Sequence, residues 1–328
     1  MTHWKIASTF PVTLLLNIGC AVTPEHAKQG GVHIAQQDGK IVIEIASKRF
    51  AEYHYQNVPR PFLYPVLGPS GEAITRNWPM QEVPGEEHDH VHHRSLWFTH
   101  GDVNGQDFWS ESDKAGKIVH EEFLDLQSGA EFGLITSRNR WVARDGKLVC
   151  TDVRKFRIHN RAANERLFDY EITIKAGNVD VTFGDTKEGS MAVRVAESMR
   201  VTQPKSKPPG QGHIANSEGV RDGQAWGKRA KWCDYYGPVN GKTVGVAVFD
   251  HPSNPKHPTW WHVRDYGLFA ANPFGVHDFE KKEPGTGNFT IPAGQSATFR
   301  YRFYLHEGDE KQARVDERYQ EYAAEKLK

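Results

Sequence analysis

The sequence predicts an all-β fold: a large antiparallel β-sandwich closed by a C-terminal α-helix. Apolar residues recur at every second position in one segment after another, the mark of half-buried strands. Turn signals fall between those segments. The 328 residues include 30 Gly and 18 Pro and are 11% aromatic, a mix that suits many strands broken by turns better than long helices or disorder.

In chain order, the first element is a leader. Over residues 1–20, Lys5 supplies a positive start, residues 6–16 are apolar apart from Ser8, Thr9, Pro11 and Thr13, and Gly19 precedes Cys20. That is the pattern of an export signal. The small residue before a cysteine resembles a lipobox, with Asn17 where Leu is usual. A lipid on Cys20 is therefore the one membrane attachment the sequence offers, and the expected location is periplasmic or outer-surface. Beyond residue 20 no stretch carries the roughly 18 uncharged apolar residues of a membrane helix.

Residues 21–328 are expected to form a single β-sandwich domain. Period two is clearest over 40–46, where Ile41, Ile43 and Ile45 share a face, and over 148–159. Further strands are expected at 49–56, 95–99, 118–126, 132–142, 167–176, 179–183, 191–195, 243–249, 288–291 and 297–305. Gln37-Asp38-Gly39, Asp145-Gly146, Gly177-Asn178, Val239-Asn240-Gly241 and Pro292-Ala293-Gly294 mark turns. A Pro-, Lys- and Gly-rich connection runs over 203–212. At the end, Asp309 and Gln312 have capping-box spacing, and Val315, Tyr319 and Tyr322 recur at i, i+4, i+7, so a helix docks an apolar stripe on the sheet.

With 41 Lys+Arg against 41 Asp+Glu, the chain has no basic excess to recruit nucleic acid. There is no P-loop or Gly-rich dinucleotide fingerprint, so no nucleotide cofactor is expected. Cys150 and Cys233 would meet an oxidising compartment after export, where they could pair or serve as buried hydrophobes.

Three polar constellations stand out. Residues 86–109 hold five of the chain's 17 His. If 91–99 is extended, His93, Ser95, Trp97 and Thr99 share one face and His92, Arg94, Leu96 and Phe98 the other. Imidazoles titrate near neutrality and suit acid/base work, while Arg94 can fork onto a carboxylate. His100, Asp102, Asn104 and Trp109 complete the segment. His90 and His92 also have a spacing at which two imidazoles can face one divalent metal. The second constellation, Gly184-Asp185-Thr186-Lys187-Glu188-Gly189, sets two carboxylates and an ammonium in a tight connection. The third runs from His251 through Trp260, Trp261 and His262 to Asn272. Adjacent tryptophans in a strand point oppositely, so one can join the core while the other lines a pocket.

Together with 60–66 and 75–79, these segments resemble a family named for PmoA and formerly labelled as a methane oxygenase. The shared motifs include Arg60-Pro61-Phe62-Leu63-Tyr64-Pro65-Val66, Thr75-Arg76-Asn77-Trp78-Pro79, His92-His93-Arg94-Ser95-Leu96-Trp97 and Phe183-Gly184-Asp185-Thr186-Lys187-Glu188-Gly189. Relatives have Pro where this chain has Val91. The old label needs several spanning helices that this sequence does not contain. The resemblance implies a supersandwich similar to that of galactose mutarotase, a fold shared by sugar epimerases, lyases and hydrolases.

The expected function is an exported carbohydrate-active enzyme, of glycoside hydrolase, lyase or epimerase type, with a saccharide as its substrate. His92 or His93 would be acid or base, Arg94 and Lys187 would neutralise a carboxylate or enolate, and Asp185 or Glu188 would be the partner. Trp97, Trp109 and Trp261 would stack the sugar, with His100, Asp102, Asn104, His251, His262 and Asn272 around it. A glycan-binding surface lipoprotein and a metal-dependent oxidoreductase are the rival readings.

Overall fold

Alternating sequence becomes alternating burial wherever a strand has one wet face. The computed structural model describes residues 1–2 and 30–326. The expected leader, with Cys20, lies outside the described residues apart from Met1 and Thr2.

The first strands are β1 (Val32–Gln37), β2 (Lys40–Ile45), β3 (Lys48–His54), β4 (Phe62–Val66), β5 (Leu96–His100) and β6 (Lys117–Gln127). Then come β7 (Phe132–Val142), β8 (Leu148–His159), β9 (Glu165–Lys175), β10 (Val181–Phe183), β11 (Gly189–Arg194) and β12 (His213–Asn216). The last are β13 (Trp232–Val239), β14 (Lys242–Asp250), β15 (Trp260–Val263), β16 (Leu268–Asn272), β17 (Phe289–Ile291) and β18 (Ser296–Glu307). A short helix α1 (Val276–Glu280) precedes β17, and α2 (Val315–Ala324) follows β18.

Two eight-stranded sheets form the sandwich, in the orders β1-β2-β3-β4-β5-β11-β16-β15 and β12-β13-β14-β18-β9-β8-β7-β6, and β10 pairs with β17 apart from them. All pairings are antiparallel. The expected all-β sandwich with a C-terminal helix is the observed fold. One apolar core joins Ile41, Ile43 and Phe98 of the first sheet to Phe156, Ile172 and Phe303 of the second. Within it Arg154 is buried and forks onto Asp152, which also accepts from Trp141 Nε1 at 2.8 Å and Asn139 Nδ2 at 2.6 Å. Cys150 and Cys233 are separate buried thiols, and burial pushes both well above the ordinary thiol range.

The helix stripe docks as its spacing requires: Val315, Tyr319 and Tyr322 pack on Phe249 and Tyr304 of the second sheet. The capping box forms one turn earlier than the helix. Asp309 Oδ1 accepts from Gln312 N at 2.8 Å and Gln312 Oε1 from Asp309 N at 3.0 Å. Arg314, with φ 55°, then breaks the path before α2 begins.

Candidate functional site

The site is built on the outer face of the first sheet. Strand register places Phe62 beside Trp97, Trp97 beside Ala192, Ala192 beside Ala270 and Ala270 beside His262. Pleating sends every member of this row away from the core, because the residues next to them, such as Phe98, Met191, Val193, Ala271 and Trp261, pack inside the sandwich. This row, with two buried alanines between Trp97 and His262, is the floor beneath the loops.

Loops wall this floor into a cavity of about 630 Å³ lined by His90, His92, His93, Asp102, Asp107, Trp109, Ser110, Thr186, Lys187, Glu188, His262, Arg264 and Tyr266. The volume suits a small ligand. The strand expected at 95–99 is β5, which begins at Leu96, and residues 91–95 are not extended. Ahead of it the chain turns, with positive φ at His90 and Ser95, 43° and 57°, and the turn brings His92 and His93 to the same cavity where a strand would have separated them. The ring of His93 still lies over Trp97, at 5.4 Å between centroids and 24°. His90 stacks on His93 at 4.6 Å and on Tyr266 at 5.2 Å.

Charged side chains lie beneath these rings. Asp89 accepts two hydrogen bonds from Arg194 Nη2, at 2.8 and 3.0 Å, and one from Arg76. Burial alone would raise the Asp89 carboxyl, but the bond from His90 and the guanidiniums of Arg194 and Arg76 hold it far below the ordinary range. Arg194 Nη1 also lies 3.2 Å from His93 Nδ1. A guanidinium only donates, so Nδ1 accepts and the proton of the neutral ring sits on Nε2. Burial and the nearby Arg194 push His93 well below its usual value.

His262 is set the other way. Its Nδ1 lies 2.7 Å from the Lys187 carbonyl, which only accepts, so Nδ1 carries the proton and Nε2 keeps its lone pair. Burial pushes His262 down to about 3, and burial with Arg60 lowers His92 to about 4. The cavity thus has one neutral imidazole that presents an N–H at Nε2 and one that presents a lone pair there.

The loop carrying Lys187 and Glu188 is clasped from below. Asn272 Nδ2 donates to the carbonyls of Thr186 and Lys187, both at 2.9 Å, and Lys187 N donates to Asp278 at 2.8 Å. Asp185 turns away from the cavity. Its two oxygens accept the backbone N–H groups of His277 and Gly287, both at 2.8 Å, which buckles the loop to the segment after β16. Only glycine fits at Gly184, where a Cβ would stand 2.1 Å from Asp102 Oδ2. Glu188 stays in the cavity, paired with Lys187 Nζ at 3.4 Å.

Of the residues singled out in the sequence, His90, His92, His93, Asp102, Trp109, Lys187, Glu188 and His262 meet in this cavity. The others serve its frame. Arg94, expected to face substrate, forks onto Glu111 with two bonds of 2.7 Å, and Arg60 joins them at 3.1 Å; this latch ties the 92–94 turn to the loop of Trp109. Trp97 is fully buried under His93. Trp261 faces the core because its odd place on β15 is opposite that of His262, and its Nε1 donates to the Ala230 carbonyl at 3.0 Å. His100 likewise faces inward, donating from Nε2 to Gly184 O at 2.8 Å. Asn104 pins the hairpin after β5 to Asp180 and Thr182. His251 sits in a different cleft, under α2. As for a metal, no three His, Cys, Asp or Glu side chains among the described residues converge as ligands, and His90 is held by ring stacking.

Sequence reasoning passed over Asp107, Ser110, Thr186, Arg264 and Tyr266 as cavity residues, and Arg194 and Asp89 beneath them. Arg264 and Tyr266 lie in the four-residue turn between β15 and β16, where an arginine and an aromatic flanking Asp265 beside a glycine were the available signal. Arg264 has Trp226 and Tyr266 beneath its guanidinium, at 5.7 and 5.6 Å.

A model of a family of unknown function, DUF6807, matches residues 40–320. The chain belongs to that family. The match takes in every cavity residue of this DUF6807 chain and both sheets except β1. No curated protein matches it. Among solved structures, an alpha-galactosidase from Lactobacillus brevis is 6% identical with a TM-score of 0.41, over 85% of this chain and 39% of that one. The DUF6807 chain thus spans about two fifths of the galactosidase. A GalM/aldose epimerase homologue from C. elegans is 8% identical with a TM-score of 0.32, over 85% of this chain and 99% of that one.

Proposed function

We propose that this protein is an exported carbohydrate-active enzyme that rearranges or cleaves a saccharide, with one neutral imidazole taking a proton from the sugar and a second donating a hydrogen bond to it. The observation that carries the reading is the opposed protonation of His93 and His262 across one floor. The Nε2 lone pair of His262 is the base, which becomes imidazolium as it takes the proton, and Nε2–H of His93 donates a hydrogen bond to the oxygen on which negative charge develops. Trp109 and Tyr266 supply flat walls for a sugar ring, and Lys187 and Arg264 supply positive charge for an oxyanion or enolate. With both oxygens of Asp185 engaged by backbone N–H groups, Asp185 and Glu188 do not form the carboxylate pair of a glycoside hydrolase. Epimerisation or elimination is therefore favoured over hydrolysis. The kinship with PmoA-named relatives and the export of the chain belong to the same proposal.

The test is a thermal-shift screen of the full-length chain against neutral, uronic, sulfated and keto sugars, followed by product analysis with any sugar that binds. A ligand at a hundred times its Kd adds about 2.7 kcal/mol to stability. His93→Gln and His262→Gln should keep the shift and lose turnover by roughly 10²–10⁴. Turnover by both variants at the wild-type rate would refute the assignment. Binding without conversion in the wild type would establish a glycan-binding protein instead.

A further inference from the structure

Away from this cavity, the outer face of the second sheet holds a cleft of about 400 Å³ between β8, β9, β18 and the C-terminal end of α2. Alternation along β8 turns Lys155, Arg157 and His159 onto this face while Phe156 and Ile158 enter the core. Arg161 follows the strand, Arg300 comes from β18 and Lys326 from beyond α2.

The cleft's carboxylates already have cations. Asp169 pairs with His159 and Arg302, Glu171 with Arg300, and Glu325 with Arg302. The remaining cations do not have carboxylates. Among the described residues the side chains of Lys155, Arg161 and Lys326 have no ion-pair or hydrogen-bond partner, and that of Arg157 has only the Phe132 ring, 3.3 Å from its guanidinium carbon. Four positive charges thus stand together around a concave surface, which attracts anions.

A second, independent feature is an unmet donor. His251 lines the cleft at 5% exposure. Its Nδ1 accepts the Ser253 backbone N–H at 3.0 Å, so the proton of the neutral ring is on Nε2. Burial, with Arg300 nearby, lowers its pKa and keeps the ring neutral. Nε2 is buried with no acceptor in the protein, an arrangement that native structures seldom leave unanswered.

We propose that this cleft is a second binding site, distinct from the catalytic cavity, for a small ligand bearing an oxyanion, either an acidic sugar or a free inorganic oxyanion. The unpaired cations take the oxyanion, and the volume admits about one ring beside it. The proposal stands on this cleft alone and does not depend on the catalytic reading.

The test is calorimetric titration of the full-length chain at low ionic strength with D-glucuronate, sodium sulfate and D-glucose. The wild type should bind glucuronate or sulfate saturably, with affinity that falls as salt is added, and should bind glucose more weakly. The Lys155→Gln/Arg161→Gln double variant, altered at the surface, should keep the wild-type Tm and lose roughly tenfold or more in affinity for the anion. His93→Gln should bind it as the wild type does. A glucuronate preference over sulfate supports an acidic sugar, and equal binding supports a free oxyanion. No saturable anion binding, glucose binding as tightly as the anions, an unaffected double variant, or loss of anion binding in His93→Gln would each overturn the proposal.

Discussion

Lowering the pH from 7.5 to 5 should destabilise this protein more than its carboxylates can explain. Burial pushes His100 down to about 4 and His262 to about 3, whereas an unfolded imidazole titrates near 6.5. Both folded values are depressed, so as the pH falls through 6.5 the unfolded chain takes up protons that the folded chain refuses. Stability is then level above about pH 7.5 and lost progressively below 6.5, at up to about 1.4 kcal/mol per ring per pH unit. At pH 5 each of these two buried rings accounts for about 2 kcal/mol, or about 4 together. An unfolding entropy of about 2.1 cal/mol/K per residue over the chain gives about 0.7 kcal/mol/K, so Tm should fall by about 6 °C. His92 and His93 add in the same direction. His306 opposes: burial lowers its pKa, but Asp234 raises it more, so its share is complete below 6.5 and lost as pH rises. The assay is calorimetry from pH 8 to pH 5 on the wild type and His100→Gln, whose stability should fall less steeply by about one proton. A Tm that is flat or rising as the pH drops from 7.5 to 5 would refute the reasoning.

Two substitutions probe the frame of the cavity. Arg194→Met leaves Asp89 with only Arg76 and His90, and His93 Nδ1 without its donor; breaking this partly buried pair should cost about 3 kcal/mol, or about 4 °C in Tm by differential scanning fluorimetry. Gly184→Ala drives a methyl into Asp102 and shifts the Lys187–Glu188 loop, so turnover on whatever sugar the screen finds should drop about 10²-fold while Tm moves by less than about 3 °C.

Much of the sandwich was legible because one-sided strands keep their period. β7 and β8 run over the residues that alternation marks, and the second sheet's outer face is wet along both. β1, β4, β12, β13, β15 and β16 were not expected. For β15 and β16 the reason is burial on both faces: they are buried at every position, since the cavity loops cover the sheet face that would otherwise be polar. The site divides the same way. Clustered imidazoles and the Lys187–Glu188 pair stood out by residue type. The floor did not, because Trp97, Ala192, Ala270 and His262 meet only through register between strands far apart in sequence. The choice of Trp261 as a sugar platform turned on parity alone, since one residue's displacement along a strand exchanges cavity for core.

The most direct test of the opposed imidazoles is long-range ¹H–¹⁵N correlation NMR of the histidine rings between pH 7.5 and 4.5, with His93→Gln and His262→Gln spectra for assignment. The expected result is His262 neutral throughout that range with its proton on Nδ1, and His93 titrating well below the ordinary imidazole range with the proton of its neutral ring on Nε2. Either ring titrating near 6.5, or both rings in the same tautomer, would contradict the donor and base roles assigned to them.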